Sequence, residues 1–294
     1  MGRGAAYSPA GLTGIFSTHI VPGDPLATGA RGAGLALRAG VRAVAETTEE
    51  GIEVLLNGEP GEWRVAATAA RLVAGAAGYD GGLRVEQVVE PPIGGGLGTS
   101  GASAMATALA VAEALGARLS YTRLAELAHR AELLCGTGLG TVSGLAVGGP
   151  VMVLEPGAPG RDRVDRFLAP VDVEVVVGFY SPVDKRSVIG GGGLEAVDRV
   201  GDRALRRLVE RPGLDEFMRL SRWFAYETGL ARGRVREAIE LLLRRGYEAS
   251  MAMIGETVFA VAGAGEAGGA VDILESTGAR VLVTRISWEP AHPV

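Results

Sequence analysis

The residues best placed to do chemistry form one run, Pro91-Pro92-Ile93-Gly94-Gly95-Gly96-Leu97-Gly98-Thr99-Ser100-Gly101-Ala102. An apolar strand pattern over residues 83–89 leads into it and an Ala-rich helical pattern over 100–115 leads out. A glycine loop that opens a helix turns consecutive backbone N–H groups toward one point. Glycine also lets the oxygens of a phosphate approach with no side chain in between. Thr99 and Ser100 add hydroxyls for a phosphate oxygen or a magnesium ion. The competing reading is a glycine-rich turn that merely caps a buried helix.

Gly96-x-Gly98-x-x-Gly101 also matches the dinucleotide fingerprint in form. That fingerprint needs a short helix and then a parallel strand ending in an acidic residue about 20 positions on, whereas two long helical patterns follow here. The nucleophile elbow G-x-S-x-G fails because Ala102 stands at its last position. Lys185 is the sole lysine, in Pro182-Val183-Asp184-Lys185-Arg186-Ser187, which is neither a Walker A loop nor a protein-kinase lysine strand. His19, His129 and His292 lie far apart, without the spacing of a transition-metal site.

The chain has 294 residues, a formal net charge of −5 and 47% hydrophobic content. This composition supports a large buried core and offers no basic footprint for nucleic acid or an anionic membrane. The most apolar window, 101–112, is rich in Ala and ends at Glu113, so no membrane span is expected. With the single Cys135 and no secretory pattern, the expectation is a cytoplasmic protein acting on a small molecule.

The elements that must position the loop follow from periodicity. Alternation over 41–47 and 51–56 predicts a hairpin, and residues 63–77 have helical spacing. After the loop, helices are expected at 100–115 and 121–134, and strands at 151–154 and 173–180. Pro156-Gly157-Ala158-Pro159-Gly160-Arg161-Asp162-Arg163 is the best linker, so the boundary is drawn between residues 1–155 and 156–294. Helices then fall at 194–210, 214–227 and 235–244, and strands at 249–254, 258–261 and 281–286. Without strict βαβ alternation, the expected class is α+β with two sheet-and-helix halves. Gly190-Gly191-Gly192-Gly193 reads as a flexible loop.

Pro92-x-x-x-Gly96-Leu97-Gly98-Thr99-Ser100-Gly101-Ala102 resembles the central signature of the GHMP kinases, small-molecule kinases that include galactokinase, homoserine kinase and mevalonate kinase. Further segments resemble the archaeal pantoate kinases within them. These are Ser8-Pro9-Ala10-Gly11-Leu12-Thr13-Gly14-Ile15-Phe16, residues 24–34, Gly136-Thr137-Gly138-Leu139-Gly140, residues 220–230 and residues 251–259. The resemblance implies an N-terminal GHMP ATP-binding domain packed on a ferredoxin-like C-terminal domain, often dimeric. It also implies ATP-dependent phosphorylation of the terminal hydroxyl of (R)-pantoate, with magnesium, in coenzyme A biosynthesis.

By the same resemblance, Pro92 and Gly94, Gly95, Gly96, Leu97, Gly98, Thr99, Ser100, Gly101 and Ala102 hold the nucleotide, Ser100 and Glu132 hold magnesium, and His19, Asp24 and Arg31 face the acceptor. Arg31 suits a substrate carboxylate because a guanidinium can make two parallel charge-assisted hydrogen bonds. The competing reading of Glu132 is a solvated carboxylate at a helix end, and that of His19 an ordinary surface residue. Thr141 stands where the family has an aspartate, Ala30 where it has a serine, and residues 151–154 lack an expected arginine. Thr141 has no charge and cannot act as a base near neutral pH. Two functions therefore compete: a kinase that works by positioning and charge, and a homologue that binds nucleotide or another small acid without turnover.

Overall fold

A computed structural model describes residues 2–182 and 194–294, so Lys185 and Gly190–Gly193 lie outside the described residues. Two strands dominate the first half. β1 (Arg3–His19) and β2 (Gly29–Thr48) pair antiparallel from Arg3 opposite Glu46 to His19 opposite Gly29, with irregularities at Pro9/Ala10 and Thr13/Ile15. β5 (Gly82–Val89) pairs with the other edge of β2, and β3 (Ile52–Leu56) runs parallel to β5. Residues 41–47 and 51–56 are therefore strands, as expected, but not a hairpin. β5 lies between them, and α1 (Arg64–Ala77) makes the crossover that a parallel pair requires.

The eight-stranded sheet is completed by β4 (Glu59–Pro60), β6 (Pro150–Glu155), β7 (Arg163–Arg166) and β12 (His292–Pro293). The Pro156–Arg163 stretch thus joins β6 to β7 within this sheet, and the second sheet begins only at β8 (Glu174–Ser181). That sheet is antiparallel, in the order β11 (Arg280–Arg285), β8, β10 (Glu256–Ala262), β9 (Glu248–Met251). α5 (Leu194–Glu210) packs on β1 and β2 of the first sheet, while α6 (Leu214–Glu227), α7 (Gly233–Arg244) and α8 (Gly268–Ser276) pack around the second.

The helix that follows the glycine loop, α2 (Thr99–Ala114), is buried on every face, and Glu113 is the one exposed residue in its last three turns. It lies between the first sheet on one side and α1 and α3 (Tyr121–Cys135) on the other. Alanine suits this position because it has high helix propensity and lets flanking elements approach closely. A buried polar bridge fixes α2 against β5. Gln87 Nε2 donates to Thr107 Oγ1 at 2.7 Å and to the Ser103 carbonyl at 3.0 Å, and Ser103 Oγ donates to Gln87 Oε1 at 2.7 Å. Inside a dry core such a network must be fully satisfied, so it holds the helix in one register. Ser120 caps α3 by accepting from the Arg123 amide, and Gly136 ends it at φ 66°. A short helix, α4 (Thr141–Leu145), follows.

Candidate functional site

The glycine loop leaves β5 at Pro91-Pro92 and passes through left-handed residues at Gly94 (φ 80°), Gly96 (φ 77°) and Gly98 (φ 61°). Side chains rarely adopt that conformation, so these turns require glycine. Leu97 is buried, and its carbonyl accepts from the Gly11 amide at 3.0 Å, which anchors the loop to β1. Gly98 is the residue before α2, and no side chain caps that helix. The Thr99, Ser100 and Gly101 amides find no acceptor among the described residues, as happens in the first turn of a helix that no side chain caps.

The second sheet supplies the other wall. A Cβ at Gly96 would lie 3.0 Å from the Met253 carbonyl oxygen, and one at Gly255 would lie 2.2 Å from the Gly95 carbonyl oxygen. The loop between β9 and β10 therefore packs backbone on backbone against Gly95-Gly96. It is tied to β1 by the Met253 amide, which donates to the Thr13 carbonyl at 2.9 Å. Ile254 carries φ 63°, an unusual conformation for a β-branched residue, at the rim of the same cavity.

Glu132, in the last turn of α3, is 1% exposed. The solvated reading of this carboxylate is therefore wrong. Its Oε1 accepts from Ser100 Oγ at 2.6 Å, and a Cβ at Gly101 or at Gly138 would stand 2.8 Å from its Oε2. Two glycines thus leave room around a buried carboxylate that touches the first turn of α2. Oxygen donors of this kind, one carboxylate and one hydroxyl beside a phosphate site, suit a magnesium ion, which keeps most of its shell for water and phosphate.

Arg31 on β2 lines the cavity together with Gly96, Gly98, Gly140, Thr141 and Met253. Its Nη2 donates to both carboxylate oxygens of Asp202 at 2.7 Å. Nothing in the sequence reading selected Asp202. The available signal was its place one turn after Asp198 in an otherwise Arg-rich helix. Thr141 opens α4, and its Cγ2 lies 2.7 Å from where a Cβ at Gly98 would be. No aspartate, glutamate or histidine is among the described residues that line the cavity.

His19 and Asp24 are placed differently. His19 ends β1 and is exposed, and neither residue lines the cavity. Asp24 Oδ1 accepts from the Ala27 and Leu26 amides, and Arg161 lies 3.3 Å from Oδ2. The Ala27 hydrogen bond, with Leu26 and Arg161 behind it, holds this carboxyl below its ordinary value of 3.8. Pro92, Gly95 and Ala102 shape the loop and the buried start of α2.

A family model for the GHMP kinases N terminal domain matches residues 64–149, the stretch that runs from α1 through the glycine loop to α4. A solved homoserine kinase from Cytophaga hutchinsonii superposes with a TM-score of 0.74 over 100% of this chain and 98% of that one. At 15% identity it shows the fold. Structure and loop together define the GHMP kinase fold, of the α+β class.

The narrower comparison follows from identity. The pantoate kinase of Thermococcus kodakarensis is 34% identical over 265 residues, which cover 87% of this chain and 86% of the relative. A solved phosphotransferase related to the CoA biosynthesis pathway is 31% identical, with a TM-score of 0.86 over 99% of this chain and 98% of that chain. The chain belongs to the pantoate kinase family.

Proposed function

We propose that this protein transfers the γ-phosphoryl group of ATP to the terminal hydroxyl of (R)-pantoate, giving 4-phosphopantoate for coenzyme A biosynthesis. The observation that carries the reading is one cavity lined both by Arg31 and by Gly96 and Gly98 of the glycine loop. Beside Gly98 the uncapped start of α2 offers amides for phosphate oxygens, and Arg31 offers a cation for a carboxylate. Residues 1–155 contribute both, and 156–294 add the wall at Met253 and Ile254. No described helix is long and apolar enough to cross a membrane, which accords with a cytoplasmic place for this chemistry. The expected dimer also belongs to this proposal.

Phosphoryl transfer runs through a loose transition state, so positioning and charge neutralisation do most of the work. Ser100 and Glu132 would hold magnesium, which would supply positive charge to offset that of the transferring phosphoryl group. Amides of residues 94–101 fix the phosphate chain, and Arg31 orients the acceptor by its carboxylate. General-base help is typically worth about 10²–10⁴-fold, so a site without a base is slowed rather than silenced. With Thr141 in the cavity, the hydroxyl proton leaves late or through water.

The second reading is a homologue that binds nucleotide or another small acid without turnover. It is favoured by one observation, the absence of a carboxylate or imidazole among the described cavity-lining residues. The two are separated by following ADP release from ATP and magnesium with a panel of hydroxy acids. Release that depends on pantoate supports the kinase, whereas ATP binding with no ADP from any acceptor supports the second reading.

A further inference from the structure

The β1–β2 ribbon ends at the cavity, and α5 crosses it there. Ser17 is opposite Arg31 and Thr18 is opposite Ala30 in the strand register. Two aspartates one helical turn apart on α5 engage these neighbours. Asp198 Oδ1 accepts from the Thr18 amide at 2.7 Å, and its Oδ2 accepts from Thr18 Oγ1 at 2.8 Å. Asp202 takes Nη2 of Arg31 with both oxygens at 2.7 Å. Between them sits Gly201, where a Cβ would stand 1.9 Å from the Phe16 carbonyl oxygen. Any other residue would push α5 off the strand and draw both carboxylates away.

This arrangement differs from a surface ion pair. The Arg31 and Asp202 side chains are 39% and 28% exposed, and the contact joins residues 171 apart in the chain. Asp202 uses one terminal nitrogen of the guanidinium. Nε and Nη1 have no acceptor among the described residues, and Arg31 lines the cavity. An arginine side chain otherwise samples many rotamers, and anchoring it in advance removes much of the ordering cost that a ligand would have to meet.

We propose that Asp202 is a positioning residue for the acceptor: it fixes the Arg31 guanidinium so that the unused N–H groups receive the carboxylate of the hydroxy acid. Asp198 and Gly201 dock the helix that carries it. The inference rests on the reading of Arg31 as the acceptor's carboxylate partner. A carboxylate beside Arg31 also repels a carboxylate ligand, so two effects oppose each other. The pair is partly open to solvent, which screens repulsion, whereas the loss of an anchor is not screened. Anchoring therefore prevails.

The test compares Asp202→Asn, Asp202→Glu, Asp198→Asn and Arg31→Ala in the full chain. Each is assayed for KM of pantoate, KM of ATP, kcat, thermal midpoint and calorimetric affinity for pantoate. Asp202→Asn is expected to raise the pantoate KM and Kd about tenfold, about 1.4 kcal/mol, with the ATP KM unchanged, and Asp202→Glu to recover part of the loss. Asp198→Asn, which loosens the helix without removing the anchor, should lower the thermal midpoint and raise the pantoate KM clearly less than Asp202→Asn does. An equal or lower pantoate Kd in Asp202→Asn would overturn the inference, as would an equal rise in Asp198→Asn, which would reduce Asp202 to a docking contact. If Arg31→Ala leaves pantoate binding unchanged, the reading of Arg31 itself falls. If Arg31→Ala weakens binding and Asp202→Asn does not, only the present inference falls. The calorimetric arm reads these outcomes even where transfer is too slow to follow.

Discussion

Ser100 Oγ donates a 2.6 Å hydrogen bond to Glu132 Oε1, joining the first turn of α2 to the last turn of α3. A serine in the glycine loop and a carboxylate 32 residues away thus form one oxygen-lined corner beside the free amides. Glu132→Gln keeps the size and the hydrogen bond to Ser100 but removes the charge. Loss of one preorganised electrostatic group lowers turnover by about 10²–10³-fold, so ADP formation should fall by at least about a hundredfold. The magnesium concentration for half-maximal rate should rise. A metal titration of variant and wild type checks both, and identical magnesium curves would remove Glu132 from the metal's neighbourhood.

Gly101 is in the ordinary helical region, so its need for glycine is spatial. A Cβ there would meet Glu132 Oε2 at 2.8 Å and Thr141 Cγ2 at 2.9 Å. Gly101→Ala must displace one of these neighbours, and overpacking of this kind typically costs about 1–3 kcal/mol. The expected result is a lower denaturation midpoint together with weaker ATP binding, measured by urea titration and calorimetry. Full stability with full nucleotide affinity would show that the corner has room to spare.

Thr141 opens α4 with its methyl group turned toward Gly98 and Gly101. Thr141→Asp places a carboxylate in a cavity whose described lining has none. It is expected to raise the pantoate-dependent kcat about tenfold or more, within the usual range of general-base assistance. The check is steady-state kinetics near neutral pH, where a carboxylate of ordinary pKa, about 3.9, is already ionised. An unchanged rate in a fast wild type would mean that another group already removes the proton.

Asp24 is held below its ordinary value by the Ala27 and Leu26 amides and by Arg161. A carboxylate depressed in the folded state adds stability that is present above its unfolded pKa and is lost as pH falls through its folded pKa. The turn at residues 24–28 should therefore keep its amide protection at neutral pH and loosen only in acid. Hydrogen-exchange protection factors for the Leu26 and Ala27 amides, followed from about pH 6 to about pH 3, test this. Asp24→Asn should show lower protection at the neutral end and little further change in acid. Equal protection in the two proteins would remove the carboxylate from the turn.

The sequence made the longer helices and most strands legible because their apolar spacing is regular, whereas α4, α8 and the short strands β4, β7 and β12 carried no such signal. The patterns over 100–115 and 121–134 became α2 and α3 within a residue or two at each end. β1 and the first half of β2 escaped. Residues 3–19 are rich in Gly, Ala, Ser and Thr, carry Pro9, and are buried on both faces, so neither strand propensity nor alternation marks them. Their small residues answer to packing instead: a Cβ at Gly4 would lie 2.3 Å from the Ala110 carbonyl oxygen of α2. The pairing of β3 with β5 was equally hidden, because two short alternating runs separated by a turn look the same whether they meet each other or a third strand.

The site was legible where chemistry is written in the backbone. Gly94, Gly96 and Gly98 announce left-handed turns, and Ser100 announces a hydroxyl at a helix start. Glu132 was legible as a residue but not as a buried one, since only the packing of α3 on the loop removes it from water. Asp202 was legible only as an acidic residue one turn after Asp198, and not as the partner of Arg31. Its partner lies 171 residues away, and no periodic signal connects a helix aspartate to a strand arginine.

The account is tested most directly by phosphorus-31 NMR of the full chain mixed with ATP, magnesium and (R)-pantoate. The prediction is a new phosphomonoester resonance that grows in step with ADP and is absent when pantoate is left out. ATP bound by the protein but converted to nothing, or to orthophosphate alone, would contradict it.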